Sequence, residues 1–142
     1  MLDLINIHHI AIICSNYDNS KRFYTEILGL KIIKETFREE RNSYKLDLAL
    51  NEHYVLELFS FPDYKLRATR PEALGLRHLA FAVQDLSANL QKLDLLNIQH
   101  EGIRVDEITG KRFTFFSRLF KILCKPWEEI FKKSVCVRVV FK

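Results

Sequence analysis

Apolar residues along this chain fall into short runs between polar clusters, and the spacing within the runs alternates between two periods. Residues 6–14 are almost continuously apolar, which predicts a strand covered on both faces. A polar stretch follows at residues 15–18, and Asp18, Asn19 and Ser20 each offer a side-chain oxygen to cap a helix. Phe23, Tyr24, Ile27 and Leu28 then recur at helical spacing. Gly29 stands where a left-handed residue would close that helix, so the spacing predicts about three helical turns. Strands are expected at residues 30–38, 43–50 and 54–61, separated by Glu39-Glu40-Arg41-Asn42 and by Asn51-Glu52-His53. The first half therefore reads βαβββ.

The second half repeats this order. Pro62 and Pro71 mark residues 62–74 as a connection, because neither fits a helix interior there. Residues 75–84 form another near-continuous apolar run, and Asp85 and Ser87 can cap a helix that places Leu86, Leu90, Leu93 and Leu96 on one face. Residues 98–105 and 111–116 read as two more strands, which gives βαββ, one strand short of the first half. At an offset of 69 residues His9 falls on His78, Ile10 on Leu79 and Ala11 on Ala80. The match carries the following helix and the strand order with it, so the chain reads as a duplication.

Composition sharpens this picture at two points. The net charge of +4 is unevenly placed: residues 1–116 hold 15 Lys/Arg against 16 Asp/Glu, and residues 117–142 hold 7 against 2. The basic character belongs wholly to the tail, so a nucleic-acid-binding reading of the domain fails. Cys14, Cys124 and Cys136 are odd in number and lack C-x-x-C spacing, which indicates neither a disulfide framework nor a zinc knuckle. No apolar run is long enough to span a bilayer and the N-terminus lacks signal-peptide features, so a cytoplasmic location without membrane association is expected.

Three ionisable residues stand out against apolar surroundings. Strand alternation puts His9 on one face with Ile7, Ala11 and Ile13, Glu57 with Val55 and Phe59, and His78 with Leu76, Ala80 and Ala82. A single buried histidine is more often a hydrogen-bonded core residue than a ligand. A carboxylate buried without a partner is costly, and two repeat-related histidines with a glutamate shift the balance toward a divalent metal. Imidazole and carboxylate together suit Zn, Ni, Co, Mn or Fe. His8 is expected on the opposite face in a structural role. Arg77, Arg104 and Lys111 could attract an anionic substrate, with surface solvation as the competing reading for each.

The segments His8-His9-Ile10-Ala11-Ile12, Phe23-Tyr24-x-x-Ile27-Leu28-Gly29 and Val55-Leu56-Glu57-Leu58-Phe59 carry a family likeness, as do residues 70–81 and 111–116. In these the chain resembles the glyoxalase I-like metalloproteins of the vicinal oxygen chelate superfamily, in particular a small bacterial subgroup. The resemblance implies an α+β fold of two paired βαβββ modules, here about residues 5–61 and 75–116 within a domain of residues 1–116. It also implies that the curved sheets form a cleft and that the protein is a homodimer. In such proteins two histidines and two glutamates hold one divalent ion, and His9, Glu57 and His78 match three of those positions.

The likeness breaks near residue 117. The family's final strand carries the fourth ligand, whereas simple counting places Lys125 there; Glu128 and Glu129 are the substitutes if the connection is longer, and either would also be the candidate base. The second module's last strand is thus expected to be atypical or missing. A shift of reading frame near residue 117 is one account of residues 117–142, and a native basic extension is the other. The function implied is a divalent-metal-dependent lyase or isomerase of glyoxalase I-like type, acting on a small oxygenated substrate through a metal-stabilised enediolate. The alternatives are a metal-free binding protein of the same fold, or an inactive product with an incomplete site.

Overall fold

Two alternating patterns on neighbouring strands build the first sheet. In the computed structural model, which describes residues 2–65, 74–76, 78–117 and 136–141 (Ser117 and the last six as backbone), the strands are β1 (Ile10–Ile13), β2 (Lys31–Arg38), β3 (Ser43–Leu50) and β4 (His53–Phe59). Their order in the sheet is β1-β4-β3-β2, with β1 parallel to β4 and the other pairs antiparallel. Leu46 faces Leu58 and Leu48 faces Leu56 across β3 and β4, and all four are buried on one face of the sheet. Ile12, paired with Leu58, extends that layer, and Phe23 and Tyr24 are buried with it. Each such side chain contributes roughly 1.5–3 kcal/mol of burial.

The helix before β2 differs from expectation at its start. Helix α1 (Tyr17–Arg22) is capped by Asn16, whose side chain accepts the Asn19 backbone N–H, and not by Asp18, Asn19 or Ser20. Residues 15–20 offer five side chains with capping chemistry, and the one preceding the first helical turn in extended conformation takes the role. The helix continues as a π-helical turn, Phe23–Ile27, and Gly29 at φ 72° closes it as the spacing predicts. The hairpin joining β3 to β4 turns on Asn51 and Glu52, both at positive φ, the geometry of a two-residue turn matched to strand twist.

The first strand is shorter than its apolar run. Residues 6–9 precede β1, and Leu2, Leu4, Ile5 and Ile7 are 82–94% exposed. Apolar content alone does not make a strand: β1 covers only the residues that pair with Leu56 to Phe59, although β4 itself begins at His53. One face of β1 is also open, with Ile13 exposed.

The chain divides into two units, Met1–Lys65 and Leu66–Lys142, and the second repeats the frame. It contains β5 (Leu79–Val83), α2 (Leu86–Leu95), β6 (Arg104–Val105), β7 (Arg112–Ser117) and β8 (Cys136–Phe141), in the order β5-β8-β7-β6. Asp85 caps α2 by accepting the Ala88 N–H. Leu86, Leu93, Ile98, Phe113 and Phe116 are buried, and buried Thr114 donates its hydroxyl proton to the Glu101 carbonyl at 2.7 Å. Strand β6 is two residues long where residues 98–105 were expected, because pairing with β7 is limited to Arg104↔Phe113 and Val105↔Arg112. The eighth strand is not missing: the far end of the tail supplies β8, parallel to β5 and antiparallel to β7. The chain is therefore α+β, built of two βαβββ modules whose last strand comes from an atypical segment. Most of the connection at residues 62–74 lies outside the described residues.

Candidate functional site

The face of the first sheet opposite the leucine layer is polar. Across β1, β4 and β3, Ala11 pairs with Glu57 and Glu57 with Asp47, so the three form one row, and Lys45 lies two residues along β3 from Asp47 on the same face. Tyr54 joins them through an irregularity. The register passes from Leu48↔Leu56 to Ala49↔Tyr54, which leaves Val55 as an extra residue in β4. Such a bulge reverses the alternation beyond it, bringing Tyr54 to the side of Glu57.

Glu57 uses its two oxygens differently. Oε1 accepts from Lys45 Nζ at 2.6 Å and from the Tyr54 hydroxyl, while Oε2 lies 3.3 Å from His9 Nε2. Lys45 also pairs with Asp47, and its ammonium reaches the Tyr54 oxygen at 3.4 Å; the Tyr54 hydroxyl is 3.1 Å from Asp47 Oδ1. One ammonium thus serves three oxygens, which matches its three donors. Burial pushes the Glu57 carboxyl up, but the hydrogen bonds from Lys45 and Tyr54 and the nearby ammonium outweigh it and hold the group below the usual carboxylate range. Burial and the two carboxylates push the Tyr54 phenol up. Burial alone would lower Lys45, yet its bonds to Asp47, Glu57 and Tyr54 raise it, so it stays charged.

His8 was expected on the opposite face from His9, and the structure corrects this. Both residues precede β1, so strand alternation does not govern them. Their Nδ1 atoms are 2.8 Å apart. The His9 ring stacks on Tyr54 with centroids 5.2 Å apart, and the His8 ring meets Tyr54 edge-on at 5.1 Å. Lys45, Asp47 and Tyr54 escaped the sequence reading altogether. Alternation in Lys45-Leu46-Asp47-Leu48 could have placed the first two beside Glu57, but the bulge that delivers Tyr54 leaves no mark in a single sequence.

The other predicted residues are placed as follows. His78 is half-buried just before β5, edge-on to Phe115 with centroids 5.6 Å apart. Arg104 is exposed, 3.2 Å from Glu101 and over the Phe113 ring at 5.5 Å. Lys111 is exposed ahead of β7. Arg77, Glu128 and Glu129 lie outside the described residues. Among the described residues no group of three or more His, Cys, Asp or Glu side chains is gathered for a metal ion. The pair His9 and Glu57 does fit one: two neighbouring ligand atoms each about 2.1 Å from a zinc ion lie about 3.0–3.4 Å apart, and the observed separation is 3.3 Å. No helix among the described residues is long and apolar enough to cross a membrane.

Comparison with known proteins adds relatives to this geometry. Residues 6–122 match the sequence pattern of the Glyoxalase/Bleomycin resistance protein/Dioxygenase superfamily. The chain is 63% identical over 113 residues to the uncharacterized protein YwkD of Bacillus subtilis (strain 168), covering 80% of this chain and 88% of that protein. It is 56% identical over 117 residues to the uncharacterized protein YaeR of Escherichia coli (strain K12), covering 82% and 91%. Among solved structures, the glyoxalase family protein from Enterococcus faecalis superimposes with a TM-score of 0.77 at 38% identity, covering 95% of this chain and 96% of that one.

Proposed function

Since the chain belongs to the Glyoxalase/Bleomycin resistance protein/Dioxygenase superfamily, we propose that it binds a small oxygen-bearing molecule on the open polar face of its first sheet. The observation that supports this most directly is the divided use of Glu57. Lys45 and Tyr54 hold one oxygen in place, and the other is presented beside His9. Polar groups fixed by their neighbours and gathered on an otherwise apolar sheet are what a small-ligand site requires. In this reading Lys45 supplies positive charge to a ligand oxygen, His9 donates or accepts a hydrogen bond, and the Tyr54 ring is a stacking surface. Chemical-shift mapping with catechol and with a simple α-hydroxyketone, both carrying vicinal oxygens, tests it. Shifts concentrated at Lys45, Tyr54 and Glu57 and abolished by Glu57→Gln are expected; shifts that avoid these residues would overturn the reading.

A second reading is favoured by the 3.3 Å separation of His9 Nε2 and Glu57 Oε2. There His9 and Glu57 are ligands of a divalent ion, the repeat supplies His78 as a third, and the activity is that of a metal-dependent lyase or isomerase of glyoxalase I-like type. When bound, the ion supplies Lewis-acid polarisation of a substrate carbonyl or vicinal oxygen pair. The chain's own part is to orient the carboxylate through Lys45 and Tyr54, in the manner of groups that stand behind metal ligands. Glu128 and Glu129 are the proposed bases, and Arg77, Arg104 and Lys111 the proposed contacts for an anionic substrate. Metal content by mass spectrometry decides: about one ion per chain, lost in His9→Ala, Glu57→Gln and His78→Ala, is expected. Loss in none of the three would sink the ligand assignment. Sedimentation equilibrium tests the homodimer that the resemblance implies.

A further inference from the structure

Arg38 ends β2 and faces Ser43 of β3, on the same side of the sheet as Lys45, Asp47 and Glu57. Its guanidinium lies over the Phe59 ring at 4.7 Å and the Phe61 ring at 5.2 Å, and these two rings stack with centroids 5.7 Å apart. Nη2 donates to the Ser43 hydroxyl oxygen at 2.7 Å. Nε is buried without a partner, and among the described residues no carboxylate pairs with the group. Lys45, one row away, is by contrast held by Asp47, Glu57 and the Tyr54 oxygen. Stacking on two rings explains how the Arg38 plane is fixed. It does not explain an arginine, since a buried unpaired N–H is costly and an apolar side chain would cover the same rings without it.

We propose that Arg38 is the anion subsite of this face, taking a carboxylate on the same small molecule whose other oxygens reach Lys45, Tyr54 and Glu57. The preferred ligand is then an oxygenated carboxylic acid and not a neutral diol or ketone, a deduction that rests on the binding proposed above. Nη1 and the second proton of Nη2 form the two-pronged donor that a planar carboxylate accepts in parallel, which a lysine cannot offer. Phe59 is two residues beyond Glu57 on the same face of β4, so the guanidinium over its ring stands about 7 Å along the strand from the Glu57 row. That span suits a ligand with its carboxylate and its oxygen pair at opposite ends of one six-membered ring. Arg77, Arg104 and Lys111 belong to the second unit, and Arg104 already has Glu101 at 3.2 Å.

Titrations of the full chain with catechol, 3,4-dihydroxybenzoate and benzoate test this, followed through amide and guanidinium proton resonances. 3,4-Dihydroxybenzoate is expected to bind about tenfold more tightly than catechol, as one charge-assisted two-pronged contact allows. Arg38→Met should weaken 3,4-dihydroxybenzoate to the affinity of catechol. Arg38→Lys keeps the charge and loses the fork, and should retain about threefold. In the wild type the Arg38 guanidinium protons should shift with both carboxylates and not with catechol, a readout that requires no variant to fold. Equal wild-type affinities for 3,4-dihydroxybenzoate and catechol, or a preference that survives Arg38→Met, overturn the proposal. Benzoate separates its failure from that of the binding reading. Benzoate shifts centred on Arg38, with catechol avoiding Lys45, Tyr54 and Glu57, would keep the subsite and remove the binding reading; the reverse pattern would remove the subsite alone.

Discussion

The two modules share one backbone plan and carry different chemistry on equivalent rows. In the first, the row across β1, β4 and β3 is Ala11, Glu57, Asp47. In the second, the row across β5, β8 and β7 is Ala80, Arg138, Phe115. Ala80 is the repeat partner of Ala11, and β8 stands to β5 as β4 stands to β1, so Arg138 occupies the register position of Glu57. A carboxylate row has become one with a cation and a phenyl ring. Register conserves the frame, whereas the residue placed at each point of it decides the chemistry. The tail supplies a strand of the right pairing, with an arginine at the point equivalent to Glu57.

The largest effect expected from probing this comparison is on the frame. Leu58→Ala removes a fully buried side chain from the four-leucine block between β3 and β4 and should cost about 2–5 kcal/mol. Urea unfolding measures the loss, and hydrogen exchange should locate it in β1 to β4. An equal rise of exchange across β5 to β8 would show that the modules do not differ in local stability. Arg138→Glu probes the chemistry instead. It gives the second module the same histidine–carboxylate combination as the first and, on the metal reading, should tighten cobalt binding about tenfold, with Arg138→Gln unchanged. Equal affinity in both variants would separate the equivalence of register from any equivalence of role.

Much of the frame was legible because hydrophobic periodicity and turn residues are local. Strands β2, β3 and β4 fall close to residues 30–38, 43–50 and 54–61, and Gly29 and Asp85 act at the helix ends as expected. The errors arise where a neighbour decides. Strand β1 begins only where it pairs with Leu56, past the irregularity at Val55 in β4, and β8 is a strand because it pairs with both β5 and β7. At the site, His9 and Glu57 were readable as ionisable groups among apolar neighbours. Tyr54 was not, because it is turned by the Val55 bulge, and the side on which His8 lies was misread because both histidines precede the strand.

A smaller effect should come from the charge row itself. In the wild type Glu57 titrates below its unfolded value, so its interactions stabilise the fold above that unfolded value and are lost as pH falls through the lowered folded one. Lys45→Met leaves Glu57 opposite Asp47 without the ammonium between them. Like charges directly across a strand pair are unfavourable, and the variant should be less stable by about 1 kcal/mol at pH 7. Without Lys45, burial and the neighbouring carboxylate push Glu57 up. The folded variant then binds protons more readily than the unfolded chain, and its deficit should shrink as pH falls. Urea melts between pH 3 and 8 should show the two stability curves converging at the acid end; a constant gap would mean that Lys45 acts through packing alone.

The smallest difference expected lies at the helix caps, where the modules agree most closely. Asn16 and Asp85 are partners at the same 69-residue offset as His9 and His78, and each accepts the N–H three residues on at 2.9 Å. Each is extended at the cap position, with φ near −137° and −131°. A cap of this kind contributes about 1 kcal/mol whichever side chain provides the oxygen. Asn16→Ala and Asp85→Ala should therefore cost similar amounts, read as matched shifts of the urea midpoint. Asn16→Asp and Asp85→Asn should be nearly silent apart from a few tenths of a kcal/mol favouring the charged form at the positive end of the helix. A large asymmetry between the two alanine variants would mean that the modules have diverged in their helices as well as in their central rows.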